Sequence, residues 1–199
     1  MPIVAALALL AGAARSVVLH GSVAIKPNQA PASVAVIMVE GRAENTGCAG
    51  GIVYSGRFVV SVRAPGVRQE TDLNDLLHAE TLSFPEHSYW YMWPIVFADF
   101  NHDGQPDFSI APHFCGNNGQ YSLLTIGPDG RVSTLRVVPD GLLGIADAAP
   151  SSGAIEVTTD GFRVGAYDNS RGSGVSRSYR WKGQQHAFVL VTATPVPSK

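Results

Sequence analysis

Charge is scarce in this chain. Asp, Glu, Lys and Arg make up 15% of its 199 residues, and the formal net charge is −2. No run of Lys or Arg and no block of like charge occurs, which argues against a nucleic-acid footprint and against charged interaction tails. Cysteine is nearly absent as well: Cys48 and Cys115 are the whole complement. Two thiols cannot build a disulfide-dense scaffold or a thiolate zinc site. They leave one intramolecular disulfide or two free buried thiols. The chain also lacks G-x-S-x-G, H-E-x-x-H and a Gly-rich phosphate loop. No segment repeats at the period of a solenoid or of propeller blades.

Turn formers are plentiful. With 21 Gly, 13 Pro and 45% hydrophobic residues, the composition suits an all-β domain. Short apolar runs separated by tight turns bear this out. Arg57–Arg63 and Val67–Leu73 flank Ala64-Pro65-Gly66, which is type II turn chemistry. Further hairpins are read at Gly127-Pro128-Asp129-Gly130, at Asp160-Gly161 and at Lys182–His186. Two more strands are expected over Arg15–Ile25 and Ser33–Val39, followed by a polar, Gly-rich stretch over Gly41–Gly51. One helix is expected, over Asn74–Leu82, with Leu73, Leu76 and Leu77 on a face. The expected architecture is antiparallel hairpins in a sandwich or propeller-like β domain with one short helix.

Residues 1–14 read as a signal peptide. An apolar run around Leu7–Leu10 precedes Ala11-Gly12-Ala13, an A-x-A cleavage pattern, and is too short to span a bilayer. A buried N-terminal helix is the alternative. No Cys follows the run to take a lipid. Residues 15–192 then form one β-rich domain and residues 193–199, with two Pro, a mobile tail. Export favours a Cys48–Cys115 disulfide.

The most informative stretch is Asp99-Phe100-Asn101-His102-Asp103-Gly104-Gln105-Pro106-Asp107. Oxygen-bearing side chains fall at loop positions 1, 3, 5 and 9, and Gly at position 6 supplies the sharp turn. The backbone carbonyl of Gln105 falls at position 7. Ca²⁺ takes about six to eight oxygens. Asp99, Asn101, Asp103, Gln105 and Asp107 are the candidate ligands, with a formal charge of −3. No Cys or His holds a ligand position, which selects a hard cation over zinc. The pattern departs from an EF-hand: position 12 is Ile110, not Glu, and strand-like segments flank the loop. An Asp/Asn/Gly turn without an ion is the alternative.

No spacing of His and acids singles out a catalytic pair, and the expectation is a protein that is not an enzyme. Two irregular segments look built for contact: Gly116-Asn117-Asn118-Gly119-Gln120-Tyr121, next to His113, and Asp168–Arg177, with Arg171, Ser173, Gly174 and Arg177. Two solvated turns are the alternative. The aromatic stretch Phe84–Trp93 suits either a core or sugar stacking.

The segment Phe97–Phe108 resembles the calcium loop of FG-GAP/VCBS-type repeats. After it come a Gly/Asn loop before Tyr121, a hairpin, a Gly-bearing strand, and Ser178-Tyr179-Arg180-Trp181-Lys182-Gly183 leading to Phe188-Val189-Leu190. This order is similar to a family of bacterial periplasmic lysozyme inhibitors, some of which serve as immunity proteins against peptidoglycan hydrolases. The resemblance implies a Ca²⁺-braced β scaffold whose loop plugs the hydrolase cleft. It implies Gly116–Tyr121 as the plug, and a Ser-Gly-x-x-Tyr type motif that Ser173-Gly174 and Tyr179 match only at longer spacing. The partner implied is a lysozyme-like hydrolase, and the location is periplasmic or secreted. A carbohydrate- or cell-surface-binding module, or a structural Ca²⁺ domain of an adhesin-like protein, are the other classes.

Overall fold

The computed structural model describes residues 16–26, 28–45, 52–85, 93–112, 118–139, 141–147 and 149–196. The fold is all-β. The first sheet contains β1 (Ser16–Val23), β2 (Ala32–Asn45), β3 (Ile52–Ala64), β4 (Val67–Asp72), β5 (Leu82–Pro85) and β6 (Trp93–Pro94). Its order is β4-β3-β2-β1-β6, with β5 alongside β3. The second sheet contains β7 (Phe97–Ala98), β8 (Asp107–Ile110), β9 (Gly119–Ile126), β10 (Val132–Val138), β11 (Leu143–Ile145), β12 (Ile155–Thr158), β13 (Gly161–Asp168), β14 (Ser173–Lys182) and β15 (Ala187–Pro195). Its order is β12-β13-β14-β15-β10-β9-β8-β7, with β11 on β9. The Ala146 amide donates to the Gly165 carbonyl at 2.8 Å, so the end of β11 reaches β13 and the sheet nearly closes into a barrel. The four hairpins read from turn chemistry form as expected. Two pairings are parallel, β1 with β6 and β10 with β15, and no local sequence signal announces them.

Alternation of apolar residues explains why these segments are strands. Val34, Val36 and Met38 on β2 and Phe58, Val60 and Val62 on β3 are buried at a spacing of two. They pack with Phe108, Ile110, Leu124, Ile126 and Val132 of the second sheet in one core. The opposite face of β9 sends Tyr121 and Leu123 into a second core with Phe100, Phe162, Tyr179 and Phe188. Strand β9 is thus a wall with apolar residues on both sides, whereas β8 sends Phe108 and Ile110 into the first core and buries Asp107 and Ser109 on its other face.

Three expectations change. Strand β2 continues past the expected end at Val39 to Asn45, into the polar, Gly-rich stretch. It does so because Gly41 pairs with Gly56 at positive φ, 148° and 156°. A Cβ on Gly56 would lie 2.0 Å from the Glu40 carbonyl, so only glycine allows this close crossing. The C-terminal segment is also a strand as far as Pro195, paired through Ala193, Thr194 and Pro195 with β14, rather than a mobile tail from 193 onward.

The helix shrinks as well. It spans only Leu73–Leu76 (α1), and β5 occupies the place of its expected end. Asp72 caps it, its Oδ1 accepting from the Asp75 amide at 3.0 Å. Buried Asn74 then diverts the chain: its Oδ1 accepts from the Phe58 amide at 2.8 Å, and its Nδ2 donates to the carbonyls of Gly56 and Glu80 at 3.1 and 3.2 Å. The chain leaves the helix at His78, φ 54°. Asn74→Ala strands a buried amide and two carbonyls and is expected to cost about 2–3 kcal/mol. Urea denaturation measures this, and a loss within error of zero would show that the Asn74 bonds do not hold this turn.

Candidate metal centre and contact surface

The oxygen-rich loop is the connection of the short β7–β8 hairpin, in which Phe97 pairs with Phe108 and Ala98 with Asp107. Its strand flanks, unlike the helices of an EF-hand, are thereby confirmed. His102 and Gly104 sit at φ 59° and 82° and fold the loop back on itself. The loop's amides fix its acids. Asp99 Oδ1 accepts from the Asp103 amide at 3.1 Å and Asp99 Oδ2 from the Gly104 amide at 2.9 Å. Asn101 Oδ1 accepts from the Asp103 amide at 3.2 Å, and Asp103 Oδ1 from the Gln105 amide at 2.8 Å. Asn101 Nδ2 donates to Asp103 Oδ2 at 2.9 Å.

Asp107 differs from the exposed Asp103 and half-buried Asp99. It is fully buried, and its Oδ2 accepts from the Phe100 amide at 2.8 Å. Among the described residues its Oδ1 has no hydrogen-bond partner, nor do the buried oxygens Gln105 Oε1 and Thr125 Oγ1. Thr125 is the cross-strand neighbour of Asp107. Burial pushes the Asp107 carboxyl up to about 6. The Thr125 hydroxyl and Phe100 amide offset part of the rise, and the negative charges of Asp103 and Asp99 add to it. The hydroxyl acts here by proximity, since no aligned hydrogen bond joins it to the carboxylate.

A hard cation suits the donor set. The donors are oxygens only, and an orphaned buried carboxylate oxygen with a raised proton affinity is what a cation relieves. Each bonded carboxylate oxygen keeps a spare lone pair for a second acceptor role. Among the described residues no three acidic, His or Cys side chains converge on one point; Asp99 and Asp103 are turned onto loop amides. The donor types suit Ca²⁺ in chemistry, and Asp107 is the residue that would anchor it. His102, at a non-ligand position, points away from the ligands: its exposed ring meets the Thr158 carbonyl through Nε2 at 2.6 Å. Because a carbonyl only accepts, this ring nitrogen carries the proton. The bond ties the loop to the end of β12.

The contact candidates divide. Tyr121 and Tyr179 face the second core, at 0% and 4% exposure. Tyr179 stacks on Phe162 at 5.1 Å, and Tyr121 donates to the Ala149 carbonyl at 2.5 Å. Burial raises the Tyr121 phenol well above its ordinary range. Neither ring offers a surface to a partner. Gly119 opens β9 and is buried. The segment read as the irregular loop Asp168–Arg177 is a tight hairpin: Asp168 pairs with Ser173, which places Ser173, Gly174 and Arg177 in β14. Arg171 remains in the turn, 3.6 Å from Asp168. His113, Gly116, Asn117 and both cysteines lie outside the described residues, as do residues 1–14, Tyr89 and Trp90. Trp93 is half-buried against the first core.

Two of the candidate segments do meet. Asn118 Nδ2 donates to the Tyr167 carbonyl at 2.8 Å, and the Tyr167 amide donates back to Asn118 Oδ1 at 2.7 Å. This reciprocal pair clamps the start of β9 to the end of β13. Sequence reasoning missed Gly144, in β11. An Nη1 of Arg177 lies 3.7 Å, and Gln120 Nε2 3.8 Å, from where its Cβ would be. The available signal was a glycine inside the apolar run Leu142-Leu143-Gly144-Ile145 with no turn around it. No family model, curated protein or solved structure matches the chain. No helix among the described residues is long and apolar enough to cross a membrane.

Proposed function

We propose that this is an exported, Ca²⁺-stabilised inhibitor, or immunity protein, of a lysozyme-like peptidoglycan hydrolase. The observation that carries the reading is the Asn118–Tyr167 clamp, which sets the Asn118–Gln120 segment beside the β13–β14 turn. Near them Arg177 is half-buried and has no acidic partner among the described residues. A glycoside hydrolase works with two carboxyl groups flanking the scissile bond. A rigid polar edge with an unpaired guanidinium complements such a cleft, and rigidity matters because ordering a loop on binding subtracts from affinity. When bound, Ca²⁺ would neutralise the loop acids and stiffen the β7–β8 hairpin. The half-buried Trp93 weighs against a flat sugar-stacking face built on that residue.

Titration of the mature protein into a panel of muramidases, with and without Ca²⁺, tests the reading. Inhibition of at least one member is expected. Arg177→Ala is expected to weaken it by about tenfold or more, as loss of one partner of an interfacial charge pair does. Activity of every muramidase unchanged by the protein would remove the proposal.

A further inference from the structure

We propose that Arg177, Gln120 and Gly144 form a carboxylate-binding notch on the second sheet. Three observations meet there. Gly144 is an interior residue of β11 whose φ lies outside the left-handed region, so no turn demands glycine. Packing does not demand it either. A Cβ would meet only the Arg177 and Gln120 side chains, at 3.7 and 3.8 Å, which is ordinary contact distance. A strand glycine needed by neither backbone nor packing marks a place where another group approaches closely.

The two atoms at that place are donors. Arg177 Nη1 and Gln120 Nε2 flank the position a Cβ would take, and they come from two different strands, β14 and β9. Arg177 is half-buried and sits opposite Val164, which belongs to the second core. Its neighbours on the chain, Ser176 and Ser178, carry no charge, and the ion pairs Arg180–Asp160 and Arg163–Glu156 engage other groups of the same sheet. A carboxylate has two oxygens, one for each donor, and a guanidinium edge with a second N–H donor is the geometry that binds it in fork fashion. A phosphate would demand more positive charge than one guanidinium provides.

Assigning the carboxylate to a hydrolase rests on the inhibitor reading; the notch itself does not. The probe is acetate, titrated in place of chloride at constant ionic strength and neutral pH into the ¹⁵N-labelled full chain. Saturable shifts are expected at the Gly144 amide, the Gln120 side-chain amide and the Arg177 guanidinium. Arg177→Gln removes the charge, and Gly144→Val fills the space between the two donors while leaving both in the chain; both are expected to abolish the shifts. Unmoved signals in the wild type, or shifts that survive in either variant, overturn the notch. Acetate binding without inhibition of any muramidase leaves the notch standing and overturns the inhibitor reading. Inhibition without an acetate response does the reverse.

Discussion

In Ca²⁺-free buffer the protein is expected to lose stability as pH rises from about 4 to about 6.5, relative to an Asp107→Asn variant. Asp107 moves from an ordinary value of 3.8 to about 6 in the folded chain. An acid whose folded value is raised binds more protons folded than unfolded between those two values. Stability therefore falls with pH across that window, and the loss is complete above the folded value. The size is of order 2–3 kcal/mol, since each tenfold gain in proton affinity on folding is worth about 1.4 kcal/mol. For a chain of this length that is roughly 5–10 °C in melting temperature. Asn at position 107 carries no titrating proton, and the comparison cancels the opposite slope that other acids impose.

Ca²⁺ is expected to reverse the difference. A cation on Asp107 Oδ1 makes the ionised form the favoured one, and a ligand at about a hundred times its dissociation constant adds about 2.7 kcal/mol. Wild type should gain that increment above pH 6, and Asp103→Ala should lose most of it. Calorimetric scans at three pH values, with Ca²⁺ and with chelator, give all of these numbers. Scans of wild type that coincide with and without Ca²⁺ would remove the metal assignment, while the pH slope would test the burial of Asp107 separately.

The second large effect concerns Tyr179. The order of residues resembling the inhibitor family implies this ring in contact with a partner, whereas its burial makes it core. Tyr179→Ala is expected to cost about 3–5 kcal/mol, because it opens a cavity against Phe162. That is roughly 10 °C or more in melting temperature. Arg177→Ala, by contrast, should leave the melting temperature nearly unchanged while weakening inhibition. A Tyr179→Ala protein as stable as wild type would mean that the ring does not occupy the second core.

What local chemistry controls was legible in the sequence. Pro-Gly and Asp-Gly pairs bend the backbone whatever surrounds them, so three of the four hairpins could be read from such pairs and the fourth from Gly183 and the polar residues after it. The order of oxygens and Gly over 99–107 is likewise a local property, because a hairpin loop brings near neighbours together unaided. The phase of a strand is different. Tyr121 and Tyr179 look like contact residues beside Gly and Ser, but register with neighbouring strands turns them inward, and register is a property of the sheet. The helix ended early for the same kind of reason. Leu76 and Leu77 favour continuation, yet Asn74 satisfies an amide and a carbonyl of β3, sixteen and eighteen residues away in the chain. Gln120 and Gly144 are partners on paired strands, and the curling of the second sheet brings Arg177 to them. Tertiary structure decided these features because each depends on hydrogen bonds and packing between segments far apart in the chain, which no short window of residues encodes.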